Sequence, residues 1–265
     1  MSNIAKAFQN KPAFIGFVTG GDPSIEKSEE FILGMIRAGV DLVEIGVPFS
    51  DPIAEGPVIQ EANIRALSAG ATVEKLFCLV KSLRAKTAVP LVFLSYLNPV
   101  FHYGYDAFFK RGRDAGLDGI IIPDLPFEEQ AEVRDAAVGY GIDLISLIAP
   151  TSELRVQKIA AAAAGFIYLV SSMGVTGVRN EIRTDLGSIV AALRDITRVP
   201  IAVGFGIHTP AQAAAIGKIA DGVIVGSAIV KIIAEHGGDA GKYIYDYVKA
   251  MKDALAASAS EGKPD

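Results

Sequence analysis

Glu44 is a carboxyl group in the middle of an apolar run, and this combination could support acid–base chemistry. Residues 41–47 read DLVEIGV, a short run with β-branched residues that is typical of a buried strand. A carboxylate without partners is costly to bury, so burial should raise the pKa of Glu44. A carboxyl with a raised pKa can donate and accept protons near neutral pH. A core carboxylate held in a salt bridge is the alternative interpretation.

Two further carboxyls, Asp51 and Glu55, follow in the segment 48–57, which reads PFSDPIAEGP. Three prolines and one glycine restrict the backbone of this segment, so a stiff loop is expected. A solvated turn is the other interpretation of these two carboxyls.

Glycine-bearing turns late in the sequence indicate an anion site. Residues 204–207 read GFGI, and residues 226–228 read GSA at the start of a short apolar helix. Glycines let the backbone approach a ligand closely, and N–H groups at a helix start attract phosphate. Tight turns without a ligand are the alternative. A longer polar segment, residues 171–180, reads SSMGVTGVRN and has the composition of either a lid or a plain connector.

Eight short apolar runs alternate with helical segments and must position these groups. The runs are 13–19, 41–47, 90–96, 118–123, 142–149, 165–170, 200–204 and 221–226. Such runs, separated by helices, predict parallel strands buried on both faces. The expected fold class is therefore α/β, a (β/α)8 TIM barrel with its site at the carboxyl ends of the strands. A six-stranded doubly wound sheet is the structural alternative, although no Gly-x-Gly-x-x-Gly motif follows the first run.

The segments between the runs predict helices, and three extra elements depart from the regular pattern. Helices are expected at 24–38, 72–86, 105–115, 127–138, 152–163, 185–196, 209–216 and 241–256. The extra elements are an N-terminal helix, a segment at 57–68 and a short helix at 227–235 in the eighth unit. We expect a single barrel over residues 1–257 and a disordered C-terminal tail over 258–265.

Composition excludes some classes of function. The net charge of −5 and the pI of about 5.3 argue against a general nucleic-acid binder. The three histidines and Cys78 have no metal-binding spacing, so no metal site is expected, and Cys78 is expected to be a buried filler in an apolar helix. With no signal peptide and no long apolar span, the sequence predicts a cytoplasmic location, or a plastid if the chain is a processed mature form.

Five motifs resemble the tryptophan synthase alpha chain family, and they occur in family order from residue 17 to residue 230. The most specific is VEIGVPFSDP at 43–52. The others are FVTGGDP at 17–23, GVTG at 174–177, GFGI at 204–207 and VGSAIV at 225–230.

This resemblance implies a carbon–carbon lyase that performs a retro-aldol cleavage of indole-3-glycerol phosphate to indole and glyceraldehyde 3-phosphate, a step of tryptophan biosynthesis. Glu44 would then be the acid–base residue, and Tyr168 matches a tyrosine near it. The family's second catalytic carboxyl, an aspartate that steadies the indole N–H, corresponds to Glu55. The extra methylene of glutamate could move the carboxylate by about 1 Å, which bears on the rate more than on the reaction class.

The resemblance also implies the remaining site residues, a partner and the location of the cofactor. Thr176 matches a lid threonine that binds the loop carboxylate. The expected indole pocket consists of Phe17, Leu94, Tyr96, Ile121 and Phe205, and the expected phosphate site of Gly177, Gly206, Gly226 and Ser227. The alpha chain itself would need no cofactor. Its partner would be a beta chain that holds pyridoxal phosphate in an α2β2 heterotetramer, with the stiff loop 48–57, which contains Pro48 and Asp51, and the segment 98–102 at the docking surface.

Two other functions stay open at the level of the sequence. Another phosphate-binding barrel, such as a sugar-phosphate epimerase or a thiamine-phosphate synthase, would need a metal cluster or a different base, and neither is visible. A barrel of low intrinsic activity that mainly activates a beta chain is the other possibility, and Glu55 is the feature that favours it.

Overall fold

Eight parallel strands form a closed barrel in which neighbours in the sequence are neighbours in space. The computed structural model describes residues 3–10, 12–149, 153–170, 186–204 and 206–260. The strands are β1 Ala13–Thr19, β2 Leu42–Gly46, β3 Leu91–Leu94, β4 Gly119–Ile121, β5 Asp143–Ile148, β6 Ile167–Val170, β7 Ile201–Gly204 and β8 Gly222–Val225. Pairing of β1 with β8 closes the ring. The predicted barrel is confirmed, and the doubly wound alternative is wrong.

Helices surround the barrel. They are α1 Ile25–Arg37, α2 Pro57–Ser68, α3 Val73–Arg84, α4 Leu97–Tyr103, α5 Tyr105–Ala115, α6 Ala131–Gly139, α7 Glu153–Ala161, α8 Leu186–Ile196, α9 Pro210–Gly217, α10 Ser227–His236 and α11 Gly241–Ser260. The expected N-terminal helix is a 3-10 helix, Asn3–Phe8. The sequence analysis missed α4, which carries an internal proline, Pro99.

Local sequence explains where several helices begin. The side chain of Ser24 accepts a hydrogen bond from the backbone N–H of Lys27 and caps α1. Thr72 and Thr209 cap α3 and α9 in the same way. Each of these helices buries one apolar stripe against the strands, as Phe31, Ile32 and Met35 of α1 do.

The amino end of the barrel is closed by apolar packing and by satisfied carboxyls. Ile4, Ala7 and Phe8 of the 3-10 helix join the cluster of side chains inside the barrel. An aspartate precedes each of β2, β4 and β8, accepts the backbone N–H of a residue on a neighbouring strand and binds a cation. These three amino-end aspartates and their partners are Asp41 with Phe14 and Lys252, Asp118 with Leu91 and Arg84, and Asp221 with Ile201 and Arg194.

Two expectations about the outer parts of the chain need correction. Helix α11 continues to Ser260, so residues 258–260 of the expected disordered tail are helical, and Ser258 is buried beside Leu255. Cys78 is exposed rather than buried, because Leu76, Phe77, Leu79 and Val80 form the buried stripe of α3 and leave Cys78 on the other face. Among the described residues, no helix is long and apolar enough to cross a membrane.

Candidate active site

Glu44 points into the barrel from the middle of β2. It pairs in register with Phe17 of β1 and with Val92 of β3, and Val92 belongs to the cluster of side chains inside the barrel. Its neighbours Val43 and Ile45 belong to the other core layer, between the strands and the helices. Because side chains alternate along a strand, Glu44 faces the interior. Only 1% of the residue is exposed.

The environment of Glu44 favours the protonated form. Among the residues that the structure describes, none forms a hydrogen bond with Oε1. Burial raises the pKa of Glu44 from 4.5 to about 8. Most molecules therefore carry a neutral carboxyl here at pH 7, as a general acid requires.

Tyr168 reaches the same interior from β6. It is buried, and burial together with the nearby charge of Glu44 raises the pKa of its phenol well above 10. A Cβ on residue 204 of the adjacent β7 would lie 2.5 Å from the Tyr168 hydroxyl oxygen, so glycine at 204 makes room for the phenol. The structure thus brings Glu44 and Tyr168 together, with Tyr168 protonated.

Apolar side chains surround this pair. Ile121 belongs to the cluster inside the barrel, Leu94 packs against it, and Leu94 also contacts the cluster that contains Phe17. The ring of Phe17 lies against Gly46 and Gly226, where a Cβ would lie 2.7 Å and 3.2 Å from ring carbons. Phe17 therefore lies between β2 and the start of α10.

Glu55 lies in the loop between β2 and α2 and is partly buried. Burial raises the pKa of its carboxyl above the ordinary value, and a hydrogen bond from Asn63 offsets only part of that rise. The Asn63 Nδ2 atom donates to Glu55 Oε2 at 2.7 Å. The backbone carbonyl of Glu55 accepts a second bond, from Gln60 Nε2 at 2.8 Å. Two side chains of α2 therefore hold this residue.

Tyr96, which we expected in the indole pocket, supports the same loop. It follows β3 and is buried, and its hydroxyl accepts the backbone N–H of Ala54 at 2.9 Å. Its ring packs on Phe49 with 5.3 Å between centroids. Burial raises the pKa of Tyr96, and the charge of Glu55 raises it further. Tyr96 therefore lies close to Glu55.

An ion pair fixes α2 to the barrel. Arg65 donates from Nε and Nη2 to both carboxylate oxygens of Asp22, at 2.9 Å and 2.7 Å. The Asp22 side chain is fully buried in the turn that follows β1. A bidentate arginine–carboxylate pair has a defined geometry, so it restricts the position of α2.

The expected phosphate residues lie at the carboxyl ends of β7 and β8. Gly226 precedes α10 and Ser227 is its first residue, and no side chain caps this helix start. The first N–H groups of α10 lack helical partners and can therefore bind an anion. Gly206, with φ of 76°, lies just beyond β7.

Three expected site residues lie outside the described residues, namely Thr176, Gly177 and Phe205. Within the described part of the chain, no group of three or more His, Cys, Asp or Glu side chains could hold a metal ion.

The sequence analysis missed Asn63. A signal was present, because Asn63 falls on the buried face of α2 with Ile59, Ala62 and Ala66. A lone amide on an apolar stripe indicates a buried hydrogen bond.

Comparison with known proteins identifies relatives over nearly the whole chain. A family model described as tryptophan synthase alpha chain matches residues 4–259. The tryptophan synthase alpha chain of Lacticaseibacillus casei is 49% identical over 257 residues, 97% of each chain. That of Lactiplantibacillus plantarum is 50% identical over 256 residues, 96% of this chain and 97% of the relative.

Solved structures agree with the sequence relatives. The tryptophan synthase subunit alpha from Legionella pneumophila superposes with a TM-score of 0.88 at 34% identity and covers 96% of this chain and 98% of that one. A chain from the tryptophan synthase α2β2 complex of Pyrococcus furiosus superposes with a TM-score of 0.86 at 35% identity and covers 92% and 99%.

Proposed function

The chain belongs to the tryptophan synthase alpha chain family, whose reaction cleaves indole-3-glycerol phosphate into indole and glyceraldehyde 3-phosphate, and we propose that Glu44 is the acid–base residue of this lyase. The observation that carries the assignment is a carboxyl 1% exposed inside the barrel, with Oε1 unpaired among the described residues and with its pKa raised to about 8 by burial. Such a group holds a proton at neutral pH and has an oxygen that is free to contact a substrate inside the barrel.

The first step is proton transfer from Glu44 to C3 of the indole ring. C3 becomes tetrahedral, and the ring takes a positive charge that is shared with N1. The bond between C3 and the adjacent carbinol carbon then breaks, and its electron pair returns to the ring to restore indole. The hydroxyl on that carbon becomes the aldehyde carbonyl and gives its proton to the Glu44 carboxylate. Glu44 is protonated again, so the cycle balances.

Glu55 stabilises the charged intermediate. An ionised carboxylate that accepts a hydrogen bond from the indole N1–H becomes a stronger partner as positive charge develops on the ring, which lowers the barrier. The hydrogen bond from Asn63 favours the ionised form of Glu55, in opposition to burial. The two carboxyls therefore differ in their hydrogen bonding and in their role.

Tyr168 assists Glu44 after the first proton transfer. Its raised pKa keeps the phenol protonated, so the hydroxyl can donate a hydrogen bond to the carboxylate that Glu44 becomes. Phe17, Leu94 and Ile121 supply apolar contact for the indole ring.

The glycerol phosphate would be held at the carboxyl ends of the last strands. Gly206, Gly226 and Ser227 would offer backbone N–H groups to the phosphate, together with Gly177. Thr176 would bind the loop carboxylate when substrate is present. Phe205 would complete the indole pocket.

The partner of this chain is a tryptophan synthase beta chain, as in the α2β2 complex of Pyrococcus furiosus. Phe101 on α4 and Ile53 in the loop after β2 are large, exposed apolar side chains, 67% and 81% exposed, in the two segments expected to dock. Pyridoxal phosphate would be held by the beta chain, and the alpha reaction needs no cofactor because side chains move its protons. Cytoplasmic location is the simplest one for a phosphorylated substrate, since phosphate esters do not cross membranes unaided.

The test is release of indole from indole-3-glycerol phosphate by the purified chain, alone and with a beta chain. We expect slow release alone and faster release with the partner. The Glu44→Gln variant should fold and bind the partner but release indole at least about 100-fold more slowly. Wild-type rates from this variant would refute the assignment.

One observation favours a second function, activation of a beta chain by a weakly active barrel. Glutamate stands at the position where the family has aspartate, and its carboxylate is already engaged by Asn63. If the chain raises beta-chain turnover without making indole itself, this second function is the correct one.

A further inference from the structure

Asn63 is a polar side chain on an otherwise apolar face of α2. It is 3% exposed, and the buried residues around it on the helix are Ile59, Ala62 and Ala66. Burial of an amide is costly unless the amide is hydrogen-bonded, so its partner indicates why it is there. That partner is the carboxylate of Glu55, eight residues earlier in the chain.

The contact is short and directional. Asn63 Nδ2 lies 2.7 Å from Glu55 Oε2, within the range of hydrogen bonds to charged groups. Among the residues that the structure describes, Asn63 alone forms a hydrogen bond with this carboxylate. Oε2 is thus engaged, which leaves Oε1 to accept a hydrogen bond from a ligand.

The helix that carries Asn63 is fixed from two sides. Arg65 binds the buried Asp22 in the turn after β1 through two hydrogen bonds. Ile59 and Ala62 pack in one cluster with Phe17 of β1 and Val230 of α10. Asn63 lies between these attachments, so its amide has a defined position relative to the barrel interior.

We propose that Asn63 is a positioning residue for the lyase reaction: it binds Glu55 Oε2 from a fixed helix and directs Oε1 toward the indole N–H. This inference rests on the proposed function, because it acts through Glu55. It also accounts for the glutamate at this position, since the longer side chain needs an anchor to hold its carboxylate in one place.

The electrostatics of the site support this role. Burial raises the pKa of Glu55 above its ordinary value, and the Asn63 bond limits that rise. Tyr96 lies close to Glu55 at the end of β3. Burial and the charges of Glu55 and Asp124 raise the pKa of its phenol, so Tyr96 is neutral. Without the amide, the Glu55 carboxylate would protonate at higher pH, and less of it would be ionised at neutral pH.

The experiment measures kcat and KM for indole release against pH in the full chain with its beta partner. The variants are Asn63→Ala, Asn63→Asp and Glu55→Gln, with Ala66→Gly as a matched control. The control weakens the same helix by removing a buried methyl, a group that cannot form a hydrogen bond with Glu55. Thermal unfolding of each variant shows how much each change affects folding.

We expect Asn63→Ala to lower kcat at neutral pH by roughly 10- to 100-fold and to move the acidic limb of the kcat profile up by about one pH unit. Asn63→Asp keeps the shape of the side chain but places a second carboxyl next to that of Glu55. The acidic limb of its kcat profile should therefore move up by at least as much as in Asn63→Ala. Ala66→Gly should lower the unfolding temperature without moving the limb.

If Asn63 has a purely structural role, the isosteric Asn63→Asp should lose less kcat than Asn63→Ala. The acidic limb of the kcat profile should then stay in place in both variants. That result would overturn the inference while leaving the function intact, provided that Glu55→Gln still loses activity. A Glu55→Gln variant with wild-type kcat would remove Glu55 from the reaction and this inference with it.

Discussion

Glu44 and the three amino-end aspartates are carboxyls with opposite environments. Each of the three amino-end aspartates accepts a backbone N–H and binds a lysine or arginine, as Asp118 does with Leu91 and Arg84. Glu44, in the middle of β2, is more deeply buried, yet its Oε1 has no partner among the described residues. Both kinds of carboxyl lie in or next to strands, so strand propensity does not explain the difference.

The difference separates stability from function. A satisfied, ion-paired carboxylate holds neighbouring strands in register and resists loss of its partners. An unsatisfied carboxyl costs free energy and is tolerated where a substrate will supply the missing interaction. Removal of Glu44 should therefore harm the reaction and spare the fold, and removal of an amino-end aspartate should do the reverse.

The largest expected effect is on catalysis by Glu44→Gln. The amide has the same shape but can neither donate nor accept the required proton, so kcat/KM for indole release should fall by at least about 100-fold. In the wild-type chain, kcat/KM should also fall as the pH rises above about 8, where the acid loses its proton. Indole release by stopped assays across pH 6–10 checks both points.

The same substitution should stabilise the fold relative to the wild type as the pH rises above about 4.5. The folded pKa of Glu44 is raised from 4.5 to about 8, so its favourable contribution is complete below pH 4.5 and is lost as the pH rises through 8. The variant minus wild-type difference in the free energy of unfolding should therefore be about 3 kcal/mol larger at pH 7 than at pH 4.5. Urea unfolding at several pH values measures this difference, and a constant difference across pH would contradict it.

For the amino-end aspartates we expect a loss of stability without a loss of catalysis. Asp118→Asn removes the charge that binds Arg84 and should lower the free energy of unfolding by about 2 kcal/mol. The kcat of the folded molecules should be unchanged. Asp114→Asn is the matched control, because its pair with Arg113 is exposed and should change stability by less than ~0.5 kcal/mol. If both variants lose the same free energy of unfolding, the amino-end aspartates contribute no more to stability than an exposed ion pair does.

The smallest effect should come from Tyr168→Phe, which keeps the ring beside Gly204 but removes the hydroxyl. We expect a loss of kcat of about 10-fold, since one hydrogen bond to a charged intermediate is lost. The KM for indole-3-glycerol phosphate should change little. A loss as large as that of Glu44→Gln would mean that Tyr168 itself transfers a proton.

The eight strands and the burial of Glu44 could be predicted because both depend only on the types of residues adjacent in the sequence. A continuous apolar run indicates a strand buried on both faces, and a single carboxyl within it is conspicuous. Helix α4 could not be predicted in this way. Its first N–H, from Leu97, donates to Asp124 at 2.9 Å, a partner 27 residues away, and Pro99 masks the local helical signal.

The partners of Glu55 and of its loop could not be predicted from the sequence for a similar reason, although the lone amide of Asn63 on an apolar helix face indicated a buried hydrogen bond. The bond between Asn63 and Glu55 depends on the rotation of α2 about its axis, which the ion pair of Arg65 with Asp22 sets from another part of the chain. The bond between Tyr96 and Ala54 joins two loops in the same way. Cys78 shows the converse error, because apolar neighbours in the sequence do not fix which face of a helix is buried.

Direct titration of the Glu44 carboxyl tests the central claim most closely. Glutamate side chains labelled with ¹³C at the carboxyl carbon can be followed by NMR across pH 3–10, and the Glu44→Gln variant identifies the resonance that is lost. We expect that resonance to titrate with a midpoint near 8 in the free chain. A midpoint near 4.5, the ordinary value, would mean that Glu44 is ionised at neutral pH and is not the acid of this reaction.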